Sequence, residues 1–291
     1  MDNSFENRPR RENAPDQAPG FPAATTRELI AYFALTFVIS WSIEIPLALS
    51  ARGFIAPIPP ALHYLVSFGP LIAAVIVTLA SRGPTGLAAL FAPLARWRLP
   101  RTVLLFIISP IAVFAAIVLV TRLFQGVWPN LALLGQVDYL PYLGIMPALL
   151  LWTATFGLGE EIGWRGFALP RLQVGRSALK ASLILGVFWA TWHIPAIFYR
   201  DTYREMGLMV VPMLATVAVV GSVTYTWLFN SSRGSLLATV IFHGLFDFFS
   251  VWPAGIVSPG MPMTILMVFW AIRVFRIFGP ARLAPEPKIT H

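Results

Sequence analysis

The sequence predicts an all-α, polytopic membrane helix bundle of about eight transmembrane helices, with the N-terminus and C-terminus both cytoplasmic. Three observations predict it. Hydrophobic residues make up 57% of the chain and charged residues only 12%, with a mean hydropathy of +0.72, whereas a soluble domain carries about 25% charged residues. Apolar runs of the ~17–25 residues needed to cross a ~30 Å hydrocarbon core recur along the chain. The positive charges are distributed unevenly between the two sides of those runs.

The elements follow in order. Residues 1–28 are polar and rich in Pro, Asn, Arg and Glu, and read as a disordered tail. They are too long and too acidic for the n-region of a signal peptide. Apolar segments predict helices at 29–49, 60–80, 103–121 (with Pro110 inside), about 139–164, 181–199, 208–229, 236–252 and 262–278. The stretch 86–100 is too short and too basic to span, and its apolar positions with Arg96 and Arg98 suit a segment on the membrane surface. This divides the chain into N-terminal helices (29–142), a core (143–250), a last helix (251–278) and a polar tail (279–291). There is no internal repeat of the kind seen in inverted-repeat transporters, and the helices read as uninterrupted.

Orientation follows from charge. With the N-terminus inside, only Arg52, Arg122, Arg200 and Arg204 fall outside, and the other 17 of the 21 Lys and Arg fall inside. That asymmetry is a positive-inside signal, and it favours an even number of helices. The expected location is the cell membrane, with the bilayer as a partner and no nucleic acid. The chain has no cysteine, which excludes disulfides and any thiol nucleophile or thiolate metal site.

Ionisable groups in apolar helices are costly and are functional candidates. Here they are Glu44, Glu160, Glu161, His193, His243 and Asp247, with Arg165 just beyond Glu161. Adjacent carboxylates on a helix point about 100° apart and cannot both face one partner. Glu161 and Arg165, spaced i, i+4, can pair, leaving Glu160 free to face a cavity as a general base. The alternative is a helix end at the cytoplasmic interface. His193 follows Trp189 and Trp192, and is either a packing residue or a ligand. His243 and Asp247 share a helical face, which suits proton transfer or metal binding. Glu44 is a structural partner or an accessory cavity residue. With no Gly-x-Ser-x-Gly and no His-Glu-x-x-His motif, water is the expected nucleophile.

At Glu160-Glu161-Ile-Gly-Trp-Arg165, Trp189-Ala-Thr-Trp-His193 and His243-Gly-Leu-Phe-Asp247 the chain resembles the CPBP intramembrane metalloprotease family. That family includes type II CAAX prenyl endopeptidases and bacteriocin-processing or immunity proteins. Two positions depart from its usual pattern: Trp189 stands where Phe is common, and Asp247 where the prenyl endopeptidases favour Asn. The resemblance implies a membrane-embedded endopeptidase acting on a membrane protein or lipidated peptide. Glu160 would activate water, with His193 sharing the proton. His243 and Asp247 would stabilise the oxyanion, and Glu161 and Arg165 would hold Glu160 in place. It also admits a divalent metal such as zinc, held by Glu160, His193 and His243. The cavity is expected to open to the cytoplasm, with Glu160 near the inner side. The other readings are a non-catalytic scaffold or immunity protein of the same fold, and an ion-coupled transporter using the same carboxylates.

Overall fold

The structure, a computed structural model, describes residues 23–251 and 260–290. Every segment predicted to be a helix is helical over most of its described residues, the main exception being 139–144 ahead of the fourth helix, and the described residues contain no strand. We name them α1 (Ala23–Ala51), α2 (Phe68–Phe91), α3 (the pair Arg101–Ile107 and Ser109–Gln125), α4 (residues 145–173), α5 (Ala178–Trp192), α6 (Val210–Ser231), α7 (Leu236–Ser250) and α8 (Gly260–Arg282). Among the described residues, five helices are long and apolar enough to cross a membrane, or six if the bent α3 is one span. Of the other two, α7 is apolar but has only 15 residues, and α4 carries the charges of the site. The chain is a multi-pass membrane protein.

Several boundaries differ from the sequence expectation. Helix α1 begins at Ala23, inside the expected tail, because Glu28 is tied down by Arg171 (2.6 Å) and Arg82 (3.6 Å). Residues 1–22 of that tail lie outside the described residues, as do 252–259. Nor are the helices all uninterrupted. Helix α3 bends by 46° at Ile108, where Pro110 lacks the N–H that a continuous helix needs. A left-handed Gly83 (φ 64°) turns α2 before its last stretch, and that stretch buries Gly86 and Leu90 while Ala88 and Ala89 face outward. The C-terminal residues do not trail away as a polar tail. Leu283 and Ala284 are buried, and the paired amides of Gln173 and Asn230 bond both the C=O and the N–H of Ile289.

The largest difference concerns α4. It starts at Ile145, after the left-handed Gly144, and runs on to Gln173 without a break. Glu160 therefore sits about 22 Å from the start and about 20 Å from the end, at 1.5 Å per residue. It lies mid-helix, not near the inner end. Two wide π-helical turns, Thr153–Leu158 and Ile162–Ala168, flank Gly159–Glu161. Such insertions re-aim side chains and concentrate at functional sites.

Small residues set how closely α4 is held. A Cβ at Gly159 would lie 2.6 Å from the Ser67 carbonyl oxygen, and one at Gly163 would lie 2.6 Å from the Pro70 backbone. A Cβ at Gly157 would approach the Val240 carbonyl oxygen of α7 to 2.8 Å. Opposite sides of one short stretch thus permit backbone contact with α2 and with α7, as small-residue helix interfaces do in membranes. Gly163→Val should lower the unfolding midpoint in detergent, by the ~1–3 kcal/mol typical of overpacking. Ala88→Val, on an outward face, should leave it unchanged.

Candidate active site

Glu160 and Glu161 are both buried in the middle of α4, and each finds different donors. Glu161 Oε1 accepts from Arg165 Nη1 at 2.7 Å, one turn along the same helix. The same oxygen lies 2.8 Å from His243 Nδ1 on α7. Because a carboxylate oxygen accepts, Nδ1 is the donor in that bond. Glu160 Oε2 accepts from the indole N–H of Trp189 on α5 at 2.8 Å and from that of Trp164 at 3.2 Å. Among the described residues its other oxygen, Oε1, accepts no hydrogen bond.

The i, i+4 pairing of Glu161 with Arg165 stands as expected from sequence, with both side chains fully buried. Its role differs from the one the resemblance implies. Arg165 and Glu161 make no hydrogen bond to Glu160; they brace His243 and Trp189 instead. The guanidinium carbon lies 4.6 Å from the Trp189 ring centroid and 4.1 Å from that of Tyr225. Among the described residues its Nε and Nη2 have no hydrogen-bond partner, and the aromatic faces supply cation–π attraction in their place.

His193 stands at the C-terminal end of α5. Its Nδ1 lies 2.8 Å from the carbonyl oxygen of Trp189. A carbonyl can only accept, so Nδ1 carries a proton and the neutral ring presents an unprotonated Nε2. His243 and Asp247 share a face of α7, with Nε2 and Oδ2 3.4 Å apart. Both nitrogens of His243 therefore face carboxylate oxygens, and it can donate to both only as an imidazolium.

Trp189 ties these groups together. Its N–H holds Glu160, its carbonyl holds His193, and its ring centroid lies 5.9 Å from that of His193 and 5.8 Å from that of His243. The two histidines thus flank one indole inside the bundle instead of facing lipid on opposite sides.

The donors expected to hold a metal are not drawn into a metal cluster. No group of three His, Cys, Asp or Glu able to hold an ion occurs among the described residues. Both nitrogens of His243 are turned to Glu161 and Asp247. The arrangement does not fit a metal bound by Glu160, His193 and His243 together.

A second buried polar group was read only in part from sequence. Glu44 is 1% exposed and accepts from the Tyr199 hydroxyl at 3.2 Å. That hydroxyl lies 2.6 Å from His63 Nδ1, and since its proton goes to Glu44, the imidazole donates to it. His63 was missed. It lies at the start of the second apolar segment, where a histidine in sequence looks like an interfacial residue. Arg200, buried beside this group, pairs with Asp138 at 3.2 Å.

Replacing Arg165 by Met should destabilise the protein by about 3–5 kcal/mol, the usual cost of orphaning one partner of a buried ion pair. Adding Glu161→Gln should recover part of that loss. Thermal midpoints of the single and double variants measure the coupling.

The comparisons with known proteins fall on this same region. Residues 142–249 match the family model described as "Type II CAAX prenyl endopeptidase Rce1-like". A "CAAX prenyl protease 2" of Methanococcus maripaludis is 34% identical over 124 residues, covering 38% of this chain and 40% of that protein. The match thus spans about two fifths of that relative's length. The segment carrying the site is similar to the Rce1-like type II CAAX prenyl endopeptidases, as the three motifs indicated.

Proposed function

We propose that the protein is an intramembrane endopeptidase that hydrolyses a peptide bond of a membrane-associated protein or peptide, with Glu160 activating the attacking water. One observation carries this reading. A carboxylate at mid-bundle is oriented through one oxygen by two indole N–H groups, and its other oxygen has no hydrogen bond among the described residues. A group positioned in this way can take a proton from water, a task to which a placed general base contributes roughly 10²–10⁴-fold.

His193 supplies the second proton site. Its Nε2 lone pair, set by the Nδ1–carbonyl bond, can accept a proton and pass it to the leaving amine. His243 is the candidate donor to the developing oxyanion through Nε2–H, which turns from its long 3.4 Å contact with Asp247 Oδ2 to make that bond, a role in which a single donor is worth about 10²–10³ in rate. Asp247 as a carboxylate has no proton to donate, so it orients His243 rather than touching the oxyanion itself. Glu161 and Arg165 fix the other side of that ring. These steps use only side chains of the chain. The membrane-protease similarity of residues 142–249 supports the reading.

Purified protein should cleave a membrane peptide in detergent. Glu160→Gln should lower kcat by roughly 10²–10⁴-fold while leaving the thermal midpoint near wild type, because its amide oxygen can still accept both indole bonds. Retention of the wild-type rate by Glu160→Gln would remove the general-base role and favour a scaffold. The protein-only mechanism also expects cleavage to persist in excess 1,10-phenanthroline, a chelator that strips zinc. A loss that added zinc restores would require the Glu160 and His193 side chains to regroup around a metal.

A further inference from the structure

The two ends of the bundle differ. One end gathers the chain termini: Glu28 of α1 meets Arg82 and Arg171, Arg233 meets Glu286, and the backbone of Ile289 is clamped by Gln173 and Asn230. The opposite end gathers Arg52, which bonds the Phe198 carbonyl, together with Arg200 and Asp138.

The site is closed toward the end with the termini. Trp164, Arg165, Phe167, Leu185, Leu236 and Phe242 lie on that side, each no more than 1% exposed. It opens toward the other end. On α7, His243 is 4% exposed by side chain, while Asp247, about 6 Å farther from Leu236, is 22% exposed. His193 closes α5 and leads into the turn Ile194–Phe198, which runs to Arg200. Asp138, paired with Arg200, is 42% exposed by side chain. An apolar groove of about 470 Å³ between α1 and this turn opens at the same end, with Arg52 among its lining residues. The exposed side of the site therefore lies away from the termini, where a cytoplasm-open cavity beside cytoplasmic termini was expected.

Charge supplies the direction. Of the 18 Lys and Arg among the described residues, only Arg52, Arg122, Arg200 and Arg204 belong to segments at the open end. Arg165 lies inside the bundle, and the other 13 belong to segments at the end with the termini. Such asymmetry orients the basic end to the cytoplasm.

We infer that the site is reached from the extracytoplasmic face of the membrane. Its substrate is the extracytoplasmic flank of a membrane-anchored protein or peptide, not a lipidated C-terminus presented in the cytoplasm. The substrate class rests on the peptidase reading; the face of access does not.

The absence of cysteine allows a direct test. Val251→Cys and Glu205→Cys mark the open end, and Arg98→Cys and Glu286→Cys mark the other. In intact cells a membrane-impermeant maleimide should label the first pair, and should label the second only after permeabilisation. The reverse pattern overturns the inference. Two peptides then test the substrate: one unlipidated with an apolar segment and a polar flank, the other carrying a farnesylated cysteine near its C-terminus. In detergent the first should be cleaved. In sealed proteoliposomes of phosphatidylethanolamine and phosphatidylglycerol it should be cleaved at least about tenfold faster when its flank faces the Val251 side. Cleavage of the farnesylated peptide alone, from the Arg98 side, refutes both face and substrate. Cleavage of neither peptide in detergent refutes the peptidase reading, and with it the substrate, while the labelling still decides the face.

Discussion

Two adjacent carboxylates in the middle of an apolar bundle are the constraint on which the site is built. An unpaired buried charge costs several kcal/mol, and the cost in a membrane core is at least comparable. Neighbouring residues on a helix diverge by about 100°, so Glu160 and Glu161 cannot share a donor. Each takes one donor from its own helix at i+4, Trp164 and Arg165 respectively. Each then takes a second from another helix, Trp189 of α5 and His243 of α7. Satisfying the pair thus fixes α5 and α7 against α4, and the histidines of the other two motifs arrive with them. The glycines around the pair remove the side chains that would keep α2 and α7 at a distance.

The two departures from the usual family pattern have visible physical effects. Phenylalanine at position 189 would line the cavity but offer no hydrogen bond. Tryptophan adds the indole N–H that orients Glu160, while its ring still lies beside Arg165 and, tilted or edge-on, beside both histidines. Asparagine at position 247 could donate a hydrogen bond, whereas the aspartate can only accept one when ionised. With Asp247 beside Nε2 and Glu161 beside Nδ1, His243 is enclosed by carboxylates on both sides. Arg165 is the permanent cation that offsets them within the bundle.

Much of this was legible in the sequence, for local reasons. The i, i+4 spacings of Glu161 with Arg165 and of His243 with Asp247 are properties of a single helix, and both pairs form. Hydropathy located the helical segments because each must be apolar over most of its length. What was not legible depended on neighbours distant in sequence. Glu28 looked like part of a polar tail because its partner Arg171 is 143 residues away. Glu44 lacked an evident role because Tyr199 and His63 come from other segments. Helix α4 was ended too early because Arg165, Arg171 and Gln173 look like interfacial residues until ion pairing, ring stacking and amide pairing are seen to bury them.

The sequence alone therefore determined the helical class, the segments that build the bundle, and the residues of the three motifs. These follow from composition, from a hydrocarbon-length period and from spacing along one helix. Only the tertiary structure decided how the motifs combine. It placed Trp189 between the two histidines, assigned the holding of Glu160 to indoles instead of to Glu161 and Arg165, and set the exposed side of the site at the end away from the termini. Those outcomes depend on which helices lie side by side and on where a polar side chain finds its donor. Both are properties of packing in three dimensions, which spacing along the chain does not encode.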